Sequence, residues 1–451
     1  MTTIEGDIAR PRPVSALRAW LTEFGRPPRL MGLDVARALA VLGMMAAHLL
    51  TTPELSPLDP STWGALVHGR SAILFAVLAG ISIALMTGRT RLPDVSELPA
   101  IRLGLVTRGA AIFAIGLVLE LLGTPIAVIL TFYGALYIVA AGFVRWRVTH
   151  LLVAAGALAV AGPPLLALLQ ALTFHANGPG AGLVLFGTYP LTVWLSLLFA
   201  GMAIGRTRLD RVGDRLRLLV VGVVLAAVGY GIGALGVVGA PGADADSTVS
   251  GTAASSESVS ESVSESVTGS EALLGVDPEE IDFTGAVCDD YGDAYISCYP
   301  IEDGTAETEP EPETSGWGSY LVELAEQDPL GSALHALVAV EPHSGGTAEI
   351  IGSGGFAVAV IALCLLASGP LRWVLLPFAA LGSMPLSAYS AHVLSYALIA
   401  GPGVFLDSLD VWAWSAAVLL VAASLWSIVR GRGPLETLLA RFTAVVSRPS
   451  R

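Results

Sequence analysis

The feature that most constrains this chain is a succession of long apolar runs separated by short stretches of Arg, Pro, Gly and acidic residues. A helix rises 1.5 Å per residue, so about 20 apolar residues cross the roughly 30 Å hydrocarbon layer of a bilayer. Only 14% of residues are charged against 54% hydrophobic, well under the roughly 25% charged of soluble domains. Such a chain cannot clothe several separate cores in polar surface, so lipid is its expected solvent. The fold class read here is all-α, a polytopic membrane helix bundle of about ten spans. They fall near residues 31–51, 64–87, 101–121, 124–142, 149–172, 187–205, 217–239, 352–369, 373–399 and 409–429. The third and fourth are expected to form a tight hairpin. Residues 1–29 are polar and lead into a full-length span, which predicts an uncleaved anchor rather than a signal peptide.

Orientation follows from the Arg residues, because short cytoplasmic loops retain positive charge. Arg10, Arg12, Arg18, Arg26 and Arg29 precede the first span, and Arg89, Arg91 and Arg102 follow the second. Arg145 and Arg147 follow the fourth, Arg206, Arg208, Arg211 and Arg215 the sixth, Arg372 the eighth, and Arg430, Arg432 and Arg441 the tenth. Residues 52–63, 174–186, 240–351 and 400–408 contain no Arg and belong outside. The expected location is the plasma membrane, multi-pass, with both termini cytoplasmic.

The net charge of −14 is concentrated in one segment. Pro241 to Ile350 holds 24 of the 38 acidic residues and no Arg, so the remainder carries +24 − 14 = +10. This divides the chain into a seven-span bundle at 1–240, an acidic Ser/Glu-rich outer loop at 241–316, an outer segment at 317–351, three spans at 352–430 and a tail at 431–451. The repeat from Ser255 to Glu271 reads as a disordered spacer, since Ser and Glu bury too little apolar area to offset chain entropy. From Trp317 to Val340 apolar residues recur at helical spacing, which predicts an amphipathic helix on the outer surface. Cys288 and Cys298 are either an extracytoplasmic disulfide or two thiols.

Ionisable groups within spans are costly and usually face a bundle interior or a wet cavity. Asp34 and Arg37 lie three apart at the cytoplasmic end of the first span, either as a structural ion pair or as a contact to a phosphate-bearing ligand. His48 lies at the outer end. His68 and Arg70 open the second span at the same face, where Arg70 calls for a buried carboxylate or an anionic substrate group as partner. Glu341, His343, Ser344 and Glu349 crowd a Gly-rich turn before the eighth span. Tyr389 and His392 sit one turn apart in the outer half of the ninth. Gly80 and Ser82 read as small residues that allow close helix packing. Topology therefore gathers His48, His68, His343, His392 and the loop residue His175 at the outer face. Such a cavity could supply a base near neutral pH and a cation for developing negative charge. No HExxH or HxxxH spacing supports a metal.

Five segments, RLMGLDVARALAVLGMMAAH, HGRSAILFAVLAGISIAL, PHSGGTAEIIGSGG, LGSMPLSAYSAH and RGPLETLLARF, together resemble prokaryotic heparan-alpha-glucosaminide N-acetyltransferase-like proteins and their relatives of undefined function. The resemblance implies a transmembrane acyltransferase. It would take acetyl-CoA from the cytoplasm, at the Asp34 and Arg37 end, and pass the acetyl group to a sugar amine or hydroxyl on the other side. The family's active-site His lies in the loop after its first motif. Residues 49–67 contain no His here, so His48 or His68 is the expected base. Arg70 would stabilise negative charge, and Glu341, His343, Ser344, Tyr389 and His392 would shape the acceptor pocket. The expected partners are the bilayer and a small-molecule acceptor, with a homodimer open and no nucleic acid. A transporter or exporter, or a non-enzymatic membrane component, is the alternative.

Overall fold

The computed structural model describes residues 13–51, 62, 64, 67–174, 181, 185–186, 190–238, 286–290, 296–300 and 317–446. His175 and the Ser255–Glu271 repeat lie outside these residues. The helices before the acidic segment are α1 (Pro13–Glu23), α2 (Met31–Leu49), α3 (Arg70–Met86), α4 (Leu98–Glu120), α5 (Ile129–Ala140), α6 (Val148–Leu172), α7 (Leu191–Gly205) and α8 (Val212–Val238). After it come α9 (Trp317–Glu326), α10 (Pro329–Val338), α11 (Thr347–Ala367), α12 (Arg372–Gly382), α13 (Pro385–Ala400), α14 (Leu409–Arg430) and α15 (Pro434–Val446). Gly242–Glu323 forms a compact unit of its own, apart from the unit made by Met1–Pro241 and Leu324–Arg451. Its described strands, β1 (Ala286–Asp290) and β2 (Ile296–Pro300), pair antiparallel with Cys288 opposite Cys298.

Among the described residues six helices, α2, α4, α6, α8, α11 and α14, are long and apolar enough to cross a membrane. The helices α12 and α13 pass that test together but meet at a 71° bend, and α3, α5 and α7 are shorter apolar helices. At 12 residues, α5 rises only about 18 Å.

Three expectations change here. The ninth run is a broken helix, because Pro385 starts α13 and Glu436 of α15 takes over its first amides. Leu386 N and Ser387 N donate to Glu436 Oε1 at 2.8 and 3.1 Å, and Ser387 Oγ donates to Oε2 at 2.5 Å. The third and fourth runs are joined by residues 121–128, a longer link than the tight hairpin expected. The outer amphipathic segment is two helices, broken where Asp328 adopts a left-handed conformation (φ 39°) and its carboxylate accepts from Gly331 N at 3.0 Å; α10 packs on α6.

The core is built around α2. Of its spanning window 78% is buried, against 17% for α8 and for α14, whose apolar faces are left to lipid. Interior helices have no hydrophobic drive to associate once in lipid, so small residues that let backbones approach decide the contacts. A Cβ on Gly382 would stand 1.7 Å from the Asp34 carbonyl oxygen, one on Gly80 2.2 Å from Leu198 O, and one on Gly201 2.1 Å from Val77 O. The α3–α7 crossing thus rests on the Gly80–Gly201 pair. Gly201→Ala is expected to lower stability by about 1–3 kcal/mol through overpacking. Gly231→Ala, where a Cβ meets nothing within 4 Å, should leave the melting temperature in detergent unchanged or slightly raised.

Candidate active site

Two polar groups that are remote in sequence meet at the Arg-poor end of the bundle. In the last turn of α2, His48 Nδ1 lies 3.2 Å from His392 Nε2 of α13, with the rings 4° from parallel. His68, in the turn before α3, meets His343 edge-on with ring centroids 5.9 Å apart. His48, His68 and His343 line one cavity of about 200 Å³ together with Tyr389, Met44, Ser71, Ala72 and Ile129. The Tyr389 hydroxyl accepts from Ile129 N at 3.3 Å. Buried His68 Nδ1 has no hydrogen-bond partner among the described residues.

The Gly-rich turn explains how His343 is delivered. His343 (φ 68°) and Gly345 (φ 66°) are both left-handed. Alternating handedness turns successive amides to one side and makes a concave anion cradle. The anion is the chain's own Glu349, a buried carboxylate in the first turn of α11. His343 N donates to its Oε1 at 2.8 Å, and Gly345 N and Ser344 Oγ donate to its Oε2 at 2.7 and 3.1 Å. A left-handed conformation at a non-glycine residue stores strain, which the surrounding bonds must hold. Gly69 (φ 68°) lets the turn before α3 lie against Pro342, where a Cβ would come within 2.9 Å.

Arg70 does not line the cavity. Its Nε donates to the Tyr230 hydroxyl at 2.6 Å, that oxygen lies 3.0 Å from Ser353 Oγ, and the guanidinium carbon is 5.1 Å from the Tyr230 ring centre. It also acts electrostatically on Glu349, so its carboxylate neighbour is Glu349. Glu341 is exposed and accepts from Val340 N at 3.0 Å, away from the cavity. Ser344 is exposed, its hydroxyl committed to Glu349. His392, 1% exposed, stands behind His48 rather than in the cavity wall.

At the Arg-rich end Asp34 is bonded twice. Arg37 Nη1 reaches its Oδ1 at 2.6 Å and Arg29 Nε its Oδ2 at 2.5 Å, while Arg37 Nη2 donates to Ser82 Oγ at 3.0 Å. Arg37 and Arg108 line a second cavity of about 300 Å³ with Phe75, Tyr133, Tyr137, Ser383, Leu386 and Glu436. The two cavities are stacked on the same helices. On α3 Ala72 lines the histidine cavity and Phe75 the arginine cavity; on α13 the same holds for Tyr389 and Leu386, and on α5 for Ile129 and Leu130. Arg108, Tyr230 and Glu436 are absent from the sequence reading. Arg108 was findable, as a charge inside the third apolar run, and Glu436 lies within the quoted RGPLETLLARF segment without having been singled out, whereas Tyr230 carries no signal until α8 is docked. Among the described residues no three His, Cys, Asp or Glu side chains converge in a metal-holding group.

Residues 29–229 match the family model for the catalytic region of heparan-alpha-glucosaminide N-acetyltransferase. That segment is similar to the catalytic region of this family, and the match spans less than half of the chain. The match takes in Asp34, Arg37, His48, His68, Arg70 and Arg108, whereas His343, Glu349 and His392 lie beyond it. Comparison with curated proteins and with solved structures gave no match. The chain thus combines a segment similar to an acetyltransferase catalytic region with several helices apolar enough to cross a membrane.

Burial and the neighbouring His68 push the His343 pKa down from 6.5 to about 4. Between those values the unfolded chain binds a proton that the folded one refuses, so stability rises with pH through this window. The melting temperature in detergent should therefore fall as pH drops from about 6.5 towards 4. His343→Asn, a residue that tolerates left-handed backbone, should flatten that part of the profile.

Proposed function

We propose that the protein transfers an acetyl group from acetyl-CoA, bound at the Arg-rich and cytoplasmic end, to an amine or hydroxyl of a sugar or other small acceptor in the outer histidine cavity. The observation that carries this reading is the pair of stacked cavities, one lined by arginines and one by histidines, built largely from the acetyltransferase-like segment. Arg37 and His48 are 48 − 37 = 11 residues apart on α2, which is three turns and nearly the same helix face. The helix thus presents a cation to one cavity and an imidazole to the other, about 16 Å apart along its axis. The reading includes ten spans, with α3, α5 and α7 and the bent α12–α13 pair counted as spans, both termini cytoplasmic, in the plasma membrane.

In this reaction the acceptor nitrogen or oxygen attacks the thioester carbon, and the C–S bond breaks. The acceptor proton passes to a histidine, and the departing thiolate is protonated in turn. With its Nδ1 proton donated to His392 Nε2, His48 keeps a lone pair on Nε2 for that proton. His392 then acts as a positioning residue, in the way a third group orients a catalytic base. His68, with its buried unbonded Nδ1, is the second group able to exchange a proton in the cavity. Arg37 and Arg108 would hold the anionic part of the donor. Glu349, with the turn it fixes and with Arg70 and Tyr230, positions His343.

Thiol release from acetyl-CoA, followed against a panel of amino sugars and polyols, tests the assignment. His48→Ala is expected to lower turnover by about 100-fold or more, the usual worth of a positioned base, and Arg37→Ala to raise the KM for acetyl-CoA. Exposed Glu341→Ala should leave both unchanged. Full activity in His48→Ala and His68→Ala alike would refute the site.

A further inference from the structure

A third cavity, about 480 Å³, opens at the Arg-rich end and belongs to neither of the two already described. Its wall holds Arg26, Arg29, Arg89, Arg215 and Arg372, with Asp210 as the one acidic side chain. Five guanidinium groups against one lining carboxylate leave a formal lining charge of +5 − 1 = +4, with Arg29 already paired to Asp34, which lies outside the lining. Gathering like charges costs energy unless an anion shares the space. Much of the guanidinium capacity is fixed in place. Arg372 Nη2 donates to the carbonyls of Leu21 and Phe24 at 2.8 and 2.9 Å, and Arg215 donates to Leu365 O and Leu209 O, both at 2.8 Å. Arg89 Nη2 meets Asp210 at 2.9 Å. Buried donors nevertheless remain over: Arg372 Nε and Nη1 and Arg89 Nε have no hydrogen-bond partner among the described residues. A buried guanidinium N–H without an acceptor is expensive. Planar forks held rigid by backbone carbonyls are suited to phosphate oxygens, which accept two parallel N–H bonds from one Arg.

From this we infer that the cavity bounded by Arg26, Arg29, Arg89, Arg215 and Arg372 is a binding site for a phosphate-bearing anion, separate from the acyl-transfer cavities. A phospholipid headgroup at the membrane surface and a soluble polyphosphate offer the same chemistry to these residues. Asp210 limits the affinity by occupying Arg89. The site does not depend on the acetyl-transfer reading, because its readout is binding and not turnover.

The test uses the full chain in detergent at near-physiological salt, where loose surface attraction is screened. One arm titrates pyrophosphate and follows the thermal shift. The other measures, by native mass spectrometry, retention of phosphatidylglycerol against phosphatidylcholine. The variants are Arg26→Gln with Arg89→Asn, the Asn chosen because residue 89 has positive φ (57°), and Asp210→Asn. A double variant of equal charge change, Arg430→Gln with Arg441→Gln, is the control. At least one probe should bind the wild-type protein, more weakly by about fivefold or more in the double variant and more tightly in Asp210→Asn, with the control unchanged. Binding of phosphatidylglycerol alone identifies a headgroup site, and binding of pyrophosphate a soluble ligand. Absence of binding by both probes, or equal weakening in the control pair, overturns the proposal. If the double variant melts below the control, Asp210→Asn decides, since removing a carboxylate from an adventitious surface would not sharpen affinity for one anion over phosphatidylcholine.

Discussion

The rest of the bundle depends on the carboxylate of Asp34. It is 4% exposed, near the end of the most enclosed helix, and it is tolerable there only because Arg29 and Arg37 hold one oxygen each. Removing one partner from a buried ion pair typically costs about 3–5 kcal/mol, because the remaining charge is stranded. Arg29 is less committed, with its side chain 42% exposed against 18% for Arg37, so the inner pair carries most of that dependence. The backbone of the same residue receives Gly382, with no room for a side chain between. Ion pair and close approach together fix where α2 begins and where α12 crosses it. A rigid helix then fixes where α2 ends, and His48 is placed opposite His392 as a consequence.

That chain of dependence also explains why the broken α12–α13 pair is useful. At the bend between the two helices, Ser383, Pro385 and Leu386 line the arginine cavity. The break exposes the first amides of α13, and a helix N-terminus in an apolar setting needs an acceptor. Glu436 supplies it from α15 and lines the same cavity. The bend, the cavity and the docking of α15 are thus one feature.

How much of this was legible in the sequence varies with the range of the signal. Apolar length marks the apolar helices, because it acts within a single segment, although among the described residues only six of them are by themselves long enough to cross a membrane. The Asp34–Arg37 pair is legible for the same reason, being one turn apart. The gathering of His48, His68, His343 and His392 at one end also follows, since topology alone assigns the ends. What does not follow is which of them share a cavity. His392 backs His48, Arg70 turns to Tyr230, Glu341 points outwards and Glu349 takes the buried position, and each outcome depends on lateral packing between helices with no sequence period to report it. The helix break at 383–385 was signalled by Pro385 but overridden by the apolar length of the run.

The arginines show how one bias serves several ends. Helix C-termini leave carbonyls unsatisfied and carry partial negative charge. At the Arg-rich end these are met by guanidinium groups from neighbouring segments: Arg102 donates to Ala141 O after α5, Arg206 to Val144 O, Arg215 to Leu365 O in the last turn of α11, and Arg372 to the end of α1. Each of these bonds ties one helix, or the residue that caps it, to the end of another helix or to the turn after it. Arg is suited to this because its planar fork can serve one carbonyl and keep further N–H groups for another acceptor. A concentration of Arg at one end of the bundle thus becomes a latticework between helix ends. Several such forks converge on one hollow lined by Arg26, Arg29, Arg89, Arg215 and Arg372, and a space with that lining is complementary to an anion for the same reason that the helix ends are held. Arg70, at the opposite end, follows the other logic: its neighbours are a tyrosine hydroxyl and the Glu349 carboxylate, not a helix terminus, so its positive charge serves the turn that carries His343.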